Sequence, residues 1–124
     1  MIDIRLPQTN IVVGETLEGT LIWHRSNSKV PKKATISIRW YTKGRGTRNT
    51  QTVQEFFIDP NQLISSQGVP IPFSLHIPYD APITYNGFLI QVIWELKAFI
   101  EMPGLLTRGE KQKCQFQVTP RQAK

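Results

Sequence analysis

The sequence of 124 residues contains a single cysteine, Cys114, so the chain can form no internal disulfide. Small secreted domains usually depend on several disulfides, so their absence favours a reducing compartment. The first residues also lack a secretion signal, because Asp3 and Pro7 stand where a basic segment and an unbroken apolar run would be needed. We therefore expect a cytoplasmic protein.

Long hydrophobic runs are missing as well. The longest, residues 87–94, has eight residues and is interrupted by Gln91. A membrane-spanning helix needs about 20 consecutive apolar residues. The sequence therefore predicts no membrane-spanning segment.

Residues that serve metal binding or catalysis are scarce. His24 and His76 are the only histidines, and neither belongs to a CxxC or HExxH motif. The alternation of residues 111–119 places Cys114 on the inward face. A cysteine in such a position more often serves as a small buried hydrophobic residue than as a nucleophile. No nucleophile, base and orienting group stand at a recognisable spacing. We predict no metal, no cofactor and no enzymatic activity.

The residues that are abundant favour strands and turns. Isoleucine, valine and threonine number 14, 7 and 11 against four alanines, while glycine and proline number 8 and 9. β-branched residues favour strands, and glycine and proline favour turns. Apolar residues alternate with polar ones along most of the chain, and turn residues close each run. The predicted strands are 2–6, 11–13, 16–24, 34–42, 53–59, 69–77, 87–101 and 111–119.

This pattern predicts an all-β fold, an immunoglobulin-like antiparallel β-sandwich of seven to eight strands. One domain over residues 1–120 and a frayed tail at 121–124 account for the length. A closed barrel is the alternative. Pro70 and Pro72 share one face of the run 69–77, which predicts an edge strand. Residues 62–67 are expected to contain a short helical turn.

Two segments resemble a known family. Residues 13–21 read VGETLEGTL, and residues 72–87 read PFSLHIPYDAPITYNG, followed by VIWELKA at 92–98. In order and spacing they resemble the arrestin-like family, which includes the arrestins, the small subunit of retromer and bacterial sporulation-control proteins. The resemblance implies an immunoglobulin-like sandwich that acts as an adaptor or scaffold. Family members usually have two sandwiches in tandem, whereas this sequence has length for one.

The long run 87–101 carries apolar residues on both of its faces. The face opposite the predicted core includes Leu89, Ile93 and Phe99. Apolar side chains that would otherwise meet solvent indicate a contact site. We predict that these three residues bind a protein partner, with a second copy of the chain among the candidates.

The net charge of +6 favours anionic partners. Two basic groups flank the run 34–42, and we expect them at opposite ends of that strand. As an alternative function, they could hold phosphorylated peptides or acidic lipid headgroups at a membrane surface; ordinary solubilising charge is the other interpretation. Tyr41 is the only aromatic residue near them, so we predict no nucleic-acid partner. The groups are Arg25, Lys29, Lys32 and Lys33, and Lys43, Arg45 and Arg48.

Overall fold

The computed structural model describes residues 2–24, 30–44, 48–66, 68–87, 89–103 and 109–120, and the predicted tail at 121–124 lies outside them. Within these ranges the chain forms nine strands and one helix, so the predicted all-β fold is confirmed, with one strand more than the seven to eight predicted. The elements are β1 (Ile2–Arg5), β2 (Asn10–Val12), β3 (Thr16–Trp23), β4 (Lys33–Gly44), β5 (Thr50–Ile58), α1 (Pro60–Ser66), β6 (Ile71–His76), β7 (Tyr85–Asn86), β8 (Ile90–Glu101) and β9 (Glu110–Thr119).

The described strands form two sheets. The smaller has the order β1-β3-β6, and the larger has the order β2-β9-β8-β4-β5, with β7 paired to β8. β6 pairs only with β3, so the edge position predicted from Pro70 and Pro72 is confirmed. Neighbours are antiparallel except β2 and β9, which run parallel. Alternation does not encode the direction of pairing, so this departure from a purely antiparallel sandwich could not be predicted.

The core lies between the two sheets and follows the alternation along each strand. Leu17 of β3, Ile36 of β4 and Leu96 of β8 are fully buried, and each contributes about 1.5–3 kcal/mol relative to exposure. Apolar residues from both sheets join one continuous cluster. Alternating apolar side chains from strands that are distant in the sequence therefore pack together and hold the sandwich.

Hydrogen bonds link the two sheets at both sides of the sandwich. The indole N–H of Trp23 in β3 donates to the carboxylate of Glu110 in β9. On the other side, the backbone N–H of His76 in β6 donates to Oε1 of Gln54 in β5 at 2.8 Å. These contacts fix the lateral position of the small sheet over the large one.

The helix α1 connects the sheets between β5 and β6. It begins two residues earlier than predicted because Asp59 caps it, with Oδ1 accepting from the N–H of Asn61 at 2.9 Å, and because Pro60 suits the first helical position. Leu63 is fully buried and joins the core. No helix in the described part of the chain has the length and hydrophobicity that crossing a membrane requires.

Candidate interaction surfaces

The three apolar residues predicted to bind a partner do not form one surface. Ile93 and Phe99 are on the outer face of the large sheet, roughly 20 Å apart at about 3.3 Å per residue. Glu95 and Lys97 stand between them on that face. Leu89 precedes the strand, because β8 begins at residue 90 rather than 87. The structure therefore separates Leu89 from the other two.

Three exposed apolar residues instead lie on the hairpin formed by β7 and β8. Tyr85, Leu89 and Ile90 are 53%, 62% and 45% exposed. The N–H of Gly87 donates to the carbonyl of Ile90 at 3.0 Å and closes the hairpin. The end of β4 packs against it at Gly44, where an added Cβ would collide with the Leu89 carbonyl. We call Tyr85, Leu89 and Ile90 the apolar tip.

The two predicted basic groups do not meet among the described residues. Lys33 begins β4 and Lys43 lies near its other end, about 33 Å away along the strand. Arg48 lies over the ring of Tyr41, with 4.6 Å from the guanidinium carbon to the ring centre. Lys32 is exposed just before β4. Arg25, Lys29 and Arg45 lie outside the described residues.

A third basic group, absent from the sequence-based expectations, lies on the outer face of the large sheet. Lys97 of β8 stands directly opposite Lys113 of β9, and Phe99 stands opposite Lys111. The ammonium groups of Lys97 and Lys111 are 5.8 and 5.7 Å from the centre of the Phe99 ring. The register of β8 and β9 thus brings together three lysines and one ring from two separate strands.

A second ring extends this group toward β5. Phe57 and Phe99 both stand opposite Thr35 of β4, so they occupy one row of the sheet, about 10 Å apart at a strand spacing of ~4.8 Å. Phe57 is 59% exposed, and the ammonium group of Lys33 lies 5.4 Å from its ring centre. We call the six residues the basic sheet face: Lys33, Phe57, Lys97, Phe99, Lys111 and Lys113.

Lys97 is in an unfavourable electrostatic setting. Desolvation by partial burial lowers its pKa below the ordinary value, and the charges of Lys111, Lys113 and Arg39 lower the pKa further. The carboxylate of Glu95 acts in the opposite direction. Like charges directly opposite each other on neighbouring strands are destabilising. An anion bound at this position would relieve that repulsion.

Arg39 and Glu95 form an ion pair near the middle of the outer face. Nη2 and Nε of Arg39 donate to Oε1 of Glu95 at 2.8 and 3.1 Å, and the two residues are opposite each other on β4 and β8. Glu95 is 8% exposed and is the one buried charged residue in the described ranges. The charge of Arg39 is therefore paired within the protein.

Cys114 is half-buried on β9, so the inward position predicted for it gives partial burial. Desolvation raises the pKa of its thiol, and the charge of Glu95 raises the pKa further. Because the thiolate is the reactive form, we expect iodoacetamide to alkylate the native protein several-fold more slowly than the urea-unfolded chain at mildly alkaline pH. A native rate equal to or above the unfolded rate would contradict this expectation.

An open cleft of about 580 Å³ lies where β7 and β9 meet beside β8. Its lining is uncharged and includes the amide side chains of Gln91, Gln115 and Gln117. The cleft thus presents hydrogen-bonding groups without a carboxylate, imidazole or thiol. Across the ranges that the structure describes, no three His, Cys, Asp or Glu residues are grouped so that they could hold a metal ion.

Comparison with known proteins adds evidence on the fold. No protein-family model and no curated protein sequence matches the chain. Among solved structures, the chain is similar to Spo0M, a sporulation control protein from Bacillus subtilis, with a TM-score of 0.64 and 17% identity over 94% of this chain. The match covers 48% of the Spo0M chain, so this chain spans about half of that protein's length. Likeness at this level of identity shows the fold alone, and that fold is an all-β, arrestin-like sandwich.

Proposed function

We propose that this protein is a non-enzymatic interaction module of the adaptor or scaffold type, a member of the arrestin-like family that binds its partner through the apolar tip. The exposure of Tyr85, Leu89 and Ile90 on one hairpin carries the proposal. Grouped apolar side chains at the surface of a folded domain are typical of contact sites. We place its work in the cytoplasm, since the lone Cys114 suits a reducing compartment.

The partner that we propose is a second copy of the chain. The match with Spo0M leaves about half of that protein outside the sandwich, and arrestin-like proteins usually have two sandwiches in tandem. A second copy would place a second sandwich beside this one. A twofold arrangement would bring the apolar tips of both copies into one shared contact and remove them from water.

Sedimentation velocity over a range of protein concentrations tests this proposal. We expect a concentration-dependent dimer, and we expect Leu89→Glu to weaken it by at least about tenfold, because a carboxylate would be buried against apolar surface. Val69→Glu is the matched control, since Val69 is 59% exposed and lies between α1 and β6, away from the tip. A strict monomer at every concentration, or an equal loss with Val69→Glu, would contradict the proposal.

A further inference from the structure

The basic sheet face combines two aromatic rings with a group of lysines. Phe57 is largely exposed, and the ring of Phe99 is flanked by two lysine ammonium groups. The ring of Phe99 lies against Gly109, where an added Cβ would come within 2.6 Å of it, so the absence of a side chain at 109 gives the ring room. The surface belongs to strands of a sheet, so its rings and lysines are held on a rigid framework.

The register of β8 and β9 brings like charges together. Lys97 and Lys113 stand directly opposite each other, and Lys111 is next along β9 on the same face. On the large sheet's outer face, Glu95 is engaged with Arg39. Glu55 of β5 is in the row of Lys97 and Lys113, with Ser37 of β4 between it and Lys97. Glu101, opposite Lys33, lies at the far end of β8. A polyanion laid across β8 and β9 would offset the repulsion among the three lysines.

We propose that the basic sheet face binds single-stranded nucleic acid, with bases stacked on Phe57 and Phe99 and phosphates held by Lys97, Lys111 and Lys113. The two rings are in one row of the sheet, about 10 Å apart, which lets bases of one strand reach both. Single-stranded nucleic acids are bound by this combination of aromatic platforms and cations, largely without sequence preference. The site lies on a different surface from the apolar tip, so it does not depend on the proposed dimer.

Two other anionic partners fit the rings less well. An acidic peptide would be attracted by the lysines, but its carboxylates would make no stacking contact with the rings of Phe57 and Phe99. A protein reads a nucleic-acid duplex with a helix or a narrow ribbon that enters a groove. This face is an open sheet, which does not fit into a groove. The expectation of no nucleic-acid partner rests on Tyr41 being the only ring near the basic loops, and the fold supplies two further rings beside other lysines.

Fluorescence anisotropy with a labelled oligothymidylate at low ionic strength tests the proposal. We expect binding that weakens as salt is added. Phe57→Leu should reduce affinity by about tenfold, because it removes a stacking surface. This side chain is mostly exposed, so the fold should be unaffected. Lys111→Gln should lower the slope of log affinity against log salt by about 0.7, the value for one phosphate contact on a single strand.

Two matched controls separate this site from general attraction to a basic protein. Lys43→Gln makes the same charge change at the far end of β4, and Tyr79→Leu removes a ring that is 64% exposed outside the basic sheet face. Neither should change the affinity or the slope. The proposal is overturned if the oligonucleotide does not bind at low salt, or if the controls weaken binding as much as the test variants. Tighter binding of a glutamate polymer or of phosphatidylserine vesicles would overturn it in favour of an acidic peptide or a membrane.

Discussion

Replacing Trp94 with alanine is expected to lower the free energy of unfolding by about 3–5 kcal/mol, the range for deleting a large buried aromatic side chain. Trp94 is fully buried on β8, and its ring centre is 5.8 Å from that of Phe116 on β9. Its indole N–H donates to the carbonyl of Pro82 at 2.7 Å. The side chain therefore ties the bend that follows β6 to the large sheet, and alanine would leave both a cavity and an unpaired carbonyl.

Trp94→Phe separates the two effects of this substitution. Phenylalanine retains much of the ring volume but cannot donate to the Pro82 carbonyl, so its cost should be smaller, about 1–2 kcal/mol. Urea denaturation followed by far-ultraviolet circular dichroism measures both variants without relying on the fluorescence of the residue replaced. The packing role assigned to Trp94 fails if alanine destabilises the protein no more than phenylalanine does.

Much of the core could be predicted from alternation alone. Within a strand each side chain points opposite to its neighbours, so a few apolar residues at period two specify the inward face. For the long strand we predict an inward face made of the even-numbered residues from Phe88 to Ile100. The prediction is confirmed for the buried side chains Trp94, Leu96, Ala98 and Ile100, whereas Val92 is half-buried, Ile90 is 45% exposed, and Phe88 lies outside the described residues. The same reasoning holds for Ile71, Phe73 and Leu75 in β6.

The surfaces proposed for binding depend on facts that alternation does not contain. The outward positions of Lys97 and Lys113 can be read from their own strands, but their standing opposite each other follows from the register of β8 and β9. Register is set by packing of the whole sheet. The row that joins Phe57 to Phe99 likewise requires β4 to lie between β5 and β8.

The position of Leu89 shows a second limit of what alternation in the sequence can predict. Its apolar neighbours make residues 87–101 look like one strand, yet the chain folds back in a hairpin and β8 begins at Ile90. β7, the first strand of this hairpin, has only two residues, which is too short to show any period. Leu89 therefore belongs to the apolar tip rather than to the sheet face that its spacing suggests.

Replacing Glu95 with alanine is expected to destabilise the protein by about 2–3 kcal/mol. Breaking a buried ion pair leaves the remaining charge desolvated without its partner, which costs about 3–5 kcal/mol when burial is complete. The side chain of Arg39 is 27% exposed and can regain some hydration, so the lower figure applies. Loss of Glu95 also removes the carboxylate that favours the charged form of Lys97. Chemical denaturation at neutral pH and moderate salt measures the change.

The double variant Arg39→Met with Glu95→Leu shows whether the loss comes from a stranded charge or from lost packing. Apolar side chains of similar size often replace a buried ion pair with little change in stability, so we expect the double variant to unfold within about 1 kcal/mol of the original protein. If the double variant is instead as unstable as Glu95→Ala, the hydrogen bonds between Arg39 and Glu95 are themselves required to hold β4 against β8. The basic sheet face would then depend on this pair for its geometry, and oligonucleotide binding by the double variant should fall together with its stability.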